Sequence, residues 1–228
     1  EQAPADADRW FELGVALLHG DALDEAHDAF RKAAMLRANW DAPRLNLAAI
    51  CETLGRLAPA EEWCRQAIVL SPRNVGAYFN LGQILRSQGR LDDSIASLQS
   101  AIRLDPDYAQ AHWSLANSLL LAGDFARGWP EYEWRTTSGD VVIDPYPQPC
   151  WQGEPLAGKS LLVHGEQGLG DEILFASCYS DLIARGARCV LVCEPRLQSL
   201  FARSFPTARV VGWQRRKDRQ PADIGEPV

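Results

Sequence analysis

Residues 78–90 read Tyr78-Phe79-Asn80-Leu81-Gly82-Gln83-Ile84-Leu85-Arg86-Ser87-Gln88-Gly89-Arg90, and the same frame returns every 34 residues. Leu13, Leu47, Leu81 and Leu115 hold the register, and each is followed by a small residue: Gly14, Ala48, Gly82 and Ala116. Three residues further on stand Leu17, Cys51, Leu85 and Leu119. In the second half of the units Phe30, Cys64 and Leu98 keep the same stride, as do Ala33, Ala67 and Ala101, and Pro72 and Pro106 close the second and third units. A fixed period of this length marks a stacked-repeat architecture, and it settles the organisation of the chain before any other feature is weighed.

Within each half, apolar residues recur at three- and four-residue intervals, which predicts two amphipathic helices per unit. The small residue after the Leu lets the first helix lie close against the second. Gly20-Asp21, Gly55-Arg56, Gly89-Arg90 and Gly123-Asp124 separate the halves. Gly suits the left-handed conformation beyond a helix end, and an Asp after it caps the next helix. A Pro near the end of a unit stops the second helix, because it lacks an N–H and crowds the preceding turn. A lone hairpin cannot bury its apolar faces, so neighbours must stack. With Trp10, Leu13, Gly14, Ala26 and Phe30 in the first unit and Tyr78, Leu81, Gly82, Leu98, Ala101 and Pro106 in the third, the chain resembles the tetratricopeptide repeat family from residue 7 to about 136. The resemblance implies a mainly α fold: an α-solenoid of helical hairpins in a right-handed superhelix, with units at 7–40, 41–74, 75–108 and 109–136. The fourth unit departs from the pattern, with Gly128 in place of Ala and Pro130 inside its second helix, and predicts a kink or a late start. Its aromatic run Trp129, Tyr132 and Trp134 predicts a terminal face that packs onto the next segment of the chain.

In this family the first helix of each unit lines the inner, concave surface. Projected onto the sequence, that face carries Asn46 and Glu52, then Asn80, Gln83 and Arg86, then Trp113 and Asn117. Asn at repeating positions offers a peptide main chain one donor and one acceptor at a time, a sequence-tolerant grip. The resemblance places Asn46 and Asn80 where some glycosyltransferase-linked repeats carry an asparagine ladder, broken in the fourth unit by Ser114. Two roles stay open for these Asn residues: ligand contact, or ties between neighbouring helices. The first helices contain no Lys, so the carboxylate clamp of chaperone-binding repeats is missing. The expected partner is a protein or peptide on the concave face, with self-association left open.

Composition narrows the rest. A hydrophobic share of 46% and a charged share of 23% over 228 residues are those of an ordinary globular chain. The net charge of −7 argues against broad attraction to nucleic-acid phosphates. The one basic cluster, Arg215, Arg216, Lys217 and Arg219, reads as a solvated loop. No apolar run has the ~18 residues of a membrane span, and the acidic start, Glu1 to Arg9, has no signal-peptide pattern. Glu1 in place of Met suggests a piece of a longer chain. A strong bias to Arg over Lys suggests a GC-rich bacterial genome. The six Cys at 51, 64, 150, 178, 189 and 193 form no CxxC pair and no zinc spacing, which predicts reduced, packed thiols in a cytoplasm and no metal site. His19, His27 and His112 fall at helical positions and read as surface or packing residues, and no nucleophile elbow surrounds any Ser.

After Arg135 the composition shifts. Residues 137–158 are rich in Pro and Gly and read as an extended linker, with Trp151 an apolar anchor. Residues 159–228 continue with a βαβ pattern: a strand at Ser160 to His164, a helix at Asp171 to Ala184, a strand at Arg188 to Cys193, a helix from about Pro195 to Arg203 and a strand at Ala208 to Gly212. That alternation predicts a parallel, doubly wound sheet, here a partial α/β Rossmann-like segment. In the first strand-to-helix turn Gly165, Gly168 and Gly170 leave room for a ligand near the backbone. The spacing is neither a dinucleotide fingerprint nor a P-loop. The longer string, Trp151 to Ser160 followed by Gly165 to Ile173, resembles bacterial proteins in which tetratricopeptide repeats precede a heptosyltransferase-like glycosyltransferase domain. That resemblance covers residues 124 to 212 and implies Asp171 as general base, with Glu166 able to bind a hydroxyl or substitute for it. The alternative is that Asp171 caps the next helix. The nucleotide-sugar half of such an enzyme would lie beyond this chain, so the chain itself is expected to hold no cofactor. The reading is therefore a repeat scaffold that presents a partner to an attached glycosyltransferase-like domain, or else part of a nucleotide-sugar-dependent glycosyltransferase.

Overall fold

The computed structural model describes residues 6–138, 148–165 and 168–213. The chain forms two compact units, residues 1–140 and 141–228.

The first unit is four helical hairpins: α1 (Ala7–His19) with α2 (Leu23–Leu36), α3 (Ala42–Thr53) with α4 (Leu57–Leu70), α5 (Val75–Ser87) with α6 (Leu91–Leu104), and α7 (Ala109–Leu121) with α8 (Phe125–Tyr132). Each turn inside a hairpin closes the same way. The N–H groups of Ala22, Arg56, Arg90 and Asp124 donate to the carbonyls of Leu17, Cys51, Leu85 and Leu119 at 2.7–2.9 Å, the long-reach bond of a left-handed helix stop. Gly55, Gly89 and Gly123 take the left-handed position with φ of 71°, 76° and 80°. In the first hairpin Asp21 takes it, with φ of 59°, while Gly20 has an ordinary φ of −86°. The pairing of Gly20 with the other three glycines is thus corrected by one residue: the 34-residue stride runs through Asp21. Asp21 makes no cap, whereas Asp124 does, accepting from Arg127 N at 3.2 Å. The second helices stop where expected in the second and third units, just before Pro72 and Pro106; the first unit stops at Leu36 with Ala38 in that place.

Volume is matched across each hairpin. A Cβ at Gly14 would sit 2.8 Å from the Phe30 ring, and one at Gly82 would sit 2.6 Å from Leu98 Cγ. Where the facing residue shrinks to Cys64, the small position grows to Ala48, and Phe30, Leu98, Cys64 and Ala48 are all fully buried. Each apolar cluster is built by one hairpin and the next first helix, as with Ala48, Cys51, Ala60, Cys64, Leu81, Ile84 and Leu85. Substantial contacts join neighbouring helices, and the first helices of successive hairpins touch each other, α3 with α5 and α5 with α7. This is the packing of a mainly helical solenoid, an array in which each hairpin leans on its neighbour.

The fourth hairpin is shortened. Of the expected kink or late start, the late start does not occur: the second helix begins in register at Phe125 but lasts 8 residues where the other three last 14. Pro130 cannot donate to the preceding turn, and the chain tightens into a 3₁₀ turn at Glu133–Thr136. Two of the three aromatics lie back over α7, while Trp129 stays exposed beside Tyr132. Trp134 stacks on the His112 ring at 4.1 Å and 8°, and Tyr132 lies 4.9 Å from Trp113. His112 is a buried packing residue: Nδ1 faces Glu131 Oε2 at 2.5 Å and Nε2 faces the Pro106 carbonyl at 2.9 Å.

The second unit holds three parallel strands, β1 (Ser160–His164), β2 (Arg188–Cys193) and β3 (Arg209–Gly212), in the order β1-β2-β3. Strand addition in one direction with right-handed crossovers winds all connections onto one face. The described strands therefore show no reversal of winding, and the doubly wound expectation is reduced to a small singly wound sheet. The expected helix at Asp171 to Ala184 is two pieces, α9 (Leu169–Phe175) and α10 (Tyr179–Ala184), split by a 3₁₀ turn at Ala176–Cys178. The Ser177 hydroxyl donates to the Leu174 carbonyl at 2.8 Å, competing with the helical bonds there. A short α11 (Gln198–Ser204) precedes β3. The core joins Cys189, Leu191 and Cys193 of β2 to Tyr179, Leu197 and Phe201, with Trp151 and Leu156 packed on from the preceding segment.

Candidate functional site

The first helices place polar side chains one turn apart along their open faces, and the structure sorts the expected groove residues by whether their hydrogen bonds are already spent. Asn46 donates from Nδ2 to its own helix, at the Ala42 carbonyl, 3.1 Å. Asn117 does the same to Trp113, 3.0 Å. Neither ties one helix to another. The ties between hairpins are made elsewhere, by residues that the sequence pattern did not single out. Asn74 Nδ2 donates to Asp41 Oδ2 at 2.8 Å, Gln88 Nε2 to the Leu57 carbonyl at 3.2 Å, and Arg90 pairs with Glu61 at 2.8 Å. Ser114, in register with Asn46 and Asn80, is buried and outside any groove. Its carbonyl accepts from Ser118, whose hydroxyl meets that of Ser94 at 3.0 Å.

On α5 the case differs. Asn80, Gln83 and Arg86 are spaced by three residues along one face and are all half-buried. The Asn80 side chain makes no hydrogen bond among the described residues. Gln83 Oε1 is buried and has no donor among them, a state that costs an acceptor about 1–3 kcal/mol. Arg86 is held below its ordinary pKa, chiefly by burial and against the pull of Glu52, and makes no ion pair among the described residues. Glu52 on α3 is pushed above the usual carboxylate value by burial, with Arg86 opposing. Beside Arg86 a recess of about 490 Å³ is lined by Ser87, Asn117, Leu120 and Leu121 as well. Leu121 is 68% exposed. Ser87, Leu120 and Leu121 were readable from the stride, since they stand in line with Thr53, Arg86 and Ser87. Trp113 is half-buried against Tyr132.

In the second unit the turn after β1 is filled by the protein itself. A Cβ at Gly165 would lie 2.5 Å from Glu172 Cγ, so the space this glycine frees holds the Glu172 side chain. Glu172 Oε2 accepts from Glu194 N at 2.9 Å and so joins α9 to the end of β2. No sequence pattern pointed to Glu172. Asp171 takes the capping geometry, with Oδ2 accepting from Gly168 N at 3.2 Å and its own N–H donating to the Gly168 carbonyl at 3.0 Å. Gly170 faces open space. Glu166 and the basic cluster at 215–219 lie outside the described residues. A recess of about 780 Å³ runs along β1, lined by residues including Trp151, Glu154, Lys159 and His164 and by none of Asp171, Gly168 or Gly170. Among the described residues no group of three His, Cys, Asp or Glu is placed to hold a metal, and no helix is long and apolar enough to cross a membrane.

Comparison with known proteins agrees with the helical-hairpin fold of the first unit. The tetratricopeptide repeat family matches residues 44–74 and 63–96, and the TPR repeat family matches residues 82–123. The chain is 30% identical over 217 residues to Protein FlbA of Caulobacter vibrioides, which takes in 91% of this chain and 36% of that protein. The chain thus spans about a third of that relative, across both units. A crystal structure of MamA is similar in fold, with a TM-score of 0.56 at 18% identity over 60% of this chain and 80% of that one. The first TPR of Spaghetti (RPAP3), bound to an HSP90 peptide, is similar at a TM-score of 0.50 and 21% identity over 51% of this chain and 93% of that one. The hairpins that span residues 44–123 are tetratricopeptide repeats.

Proposed function

For a tetratricopeptide repeat array joined to a small parallel sheet, we propose that the open faces of α3, α5 and α7 bind an extended segment of a partner protein. Tetratricopeptide repeats are protein-interaction scaffolds, and one observation carries the placement on this face: the buried, unanswered Gln83 Oε1 beside an unbonded Asn80. Once the Gln83 amide turns outward, a main-chain N–H crossing α5 answers the first, and a main-chain carbonyl or N–H answers the second. Asn46, Trp113 and Asn117 supply the walls on either side, their own polar groups being partly committed to their helices. The test is calorimetric titration of the whole chain with peptides selected on it from a random library. Asn80→Ala with Gln83→Ala should weaken binding about tenfold or more, while Arg65→Ala, on the exposed face of α4, changes it little. Equal affinity for the double variant moves the site off this face.

A second reading is favoured by the parallel βα units behind a repeat array. Here the scaffold, units 7–40 to 109–136, presents its partner through the linker 137–158 to a glycosyltransferase-like domain beginning at 159, in a bacterial cytoplasm. In that reading the longer protein binds a nucleotide sugar, Gly168 and Gly170 admit the ligand, Gly165 does so only once the Glu172 side chain moves out, and Asp171 leaves its capping role to act as base, with Glu166 beside it. Asp171→Asn should then abolish transfer by the longer protein and leave peptide binding intact. A longer protein that binds no nucleotide sugar in a titration ends the reading.

A further inference from the structure

We propose that the groove selects a partner segment bearing a single carboxylate side chain, read by Arg86, next to an apolar residue seated on Leu120 and Leu121. The inference rests on the peptide-binding reading above and adds the chemistry of the occupant. Three observations carry it. Arg86 is a half-buried cation with no ion pair among the described residues, so part of its hydration is already removed and nothing bonded replaces it. Such a guanidinium gains most from a carboxylate that meets it with two parallel hydrogen bonds. The recess beside it is built of one cation, a hydroxyl, an amide and two leucines, which suits an acidic side chain with an apolar neighbour. Gln83, one turn before Arg86, holds an orphaned acceptor, so a main chain passing Gln83 brings its next side chains over Arg86.

The number of carboxylates is set by the surroundings. Glu52 lies near enough to Arg86 for each to pull on the other, and it is itself a half-buried carboxylate. A second acidic residue in the segment would meet Glu52, and a long acidic tract would meet a chain of net charge −7. One acid fits, while a run of acids is repelled. A Lys or Arg in that place would face Arg86 at close range.

The experiment screens a synthetic array of random heptapeptides on the whole chain, then titrates the strongest binders by calorimetry. Selected peptides should share one Asp or Glu beside an apolar residue. Changing that acid to its amide should weaken binding about tenfold or more, the scale of a hydrogen bond to a charged group. On Arg86→Gln the acid and amide peptides should bind alike, and on Glu52→Gln the acid peptide should bind more tightly. Peptides that need Asn80 and Gln83 but are indifferent to Arg86→Gln and to the acid-to-amide change overturn the carboxylate inference and leave the groove standing. Peptides indifferent to all three residues overturn both. Selection of basic peptides, or of none, overturns the inference as well. Because the acid-to-amide change is made in the peptide, the test survives if Arg86→Gln fails to fold.

Discussion

The matching of Gly82 to Leu98 gives a quantitative prediction. A methyl group at Gly82 would lie 2.6 Å from Leu98 Cγ and 2.8 Å from Cδ2. Comfortable carbon contacts are about 3.5–4.0 Å, so something must move by roughly an ångström. Leu98 is fully buried and has little room to give. Overpacking of this kind costs about 1–3 kcal/mol, while replacing Gly by Ala inside a helix returns about 1 kcal/mol. The net for Gly82→Ala is therefore a loss of about 1 kcal/mol. Leu98→Cys alone leaves a cavity and should cost about 2–4 kcal/mol. Together the two recreate the Ala48 and Cys64 pair of the hairpin before, so the double variant should be more stable than the sum of the single losses by about 1–2 kcal/mol. Hydrogen exchange in the α5 and α6 segments, with far-UV circular dichroism during urea unfolding, measures this locally and globally. Additive losses, or a Gly82→Ala variant more stable than the parent, would refute the idea that this pair sets how closely the helices approach.

Other perturbations rest on single observations. Asp21→Gly should stabilise the first hairpin by about 0.5–1 kcal/mol, because a left-handed φ of 59° strains any side chain; a fall in thermal midpoint would contradict the corrected register. Burial lifts the Glu52 carboxyl above its ordinary 4.5, so its folded form holds a proton that the unfolded form has released in the window above that value. The stability this contributes is present below 4.5 and lost as pH rises through the folded pKa. Glu52→Gln should flatten that fall in urea titrations run from pH 4 upward, and an unchanged slope would remove Glu52 as its source. With Cys64 pushed to about 12 and Cys193 to about 11 by burial, and Cys51 and Cys189 also buried, a disulfide reagent should label Cys150 and Cys178 on the native chain and the other four only on unfolding.

How much of this was legible depends on how local the cause is. The hairpins were readable because a 34-residue stride repeats its own evidence, and β1 and β2 were readable as short apolar runs with breakers at both ends. Gly20 was misplaced because residue type was followed in preference to register: counting 34 back from Gly55 lands on Asp21. The break at Ala176–Cys178 hangs on one hydroxyl choosing one carbonyl, a choice that hydrophobic period does not record. Glu172 was invisible for the opposite reason. Its partner, the Glu194 N–H, is 22 residues away and comes near only when β1 and β2 pair.

The same limit explains why the groove could be outlined from the sequence but not ranked. Asn46, Asn80 and Ser114 occupy one register position and meet three fates: bonded to its own helix, unbonded, and buried. The third lies in the hairpin that is cut short at Pro130. By shortening α8, Pro130 brings Tyr132 and Trp134 back over α7, and that end of the array closes on its own rings. At the other end of the open face, Asn46 is spent within α3. The unanswered side-chain hydrogen bonds are thereby found on α5, where a hairpin has neighbours on both sides to bury its apolar face and no terminal aromatic cluster over its polar one. The repeat supplies similar backbones, and α5 differs from α3 and α7 in leaving unmade the side-chain bond that Asn46 and Asn117 make to their own helices.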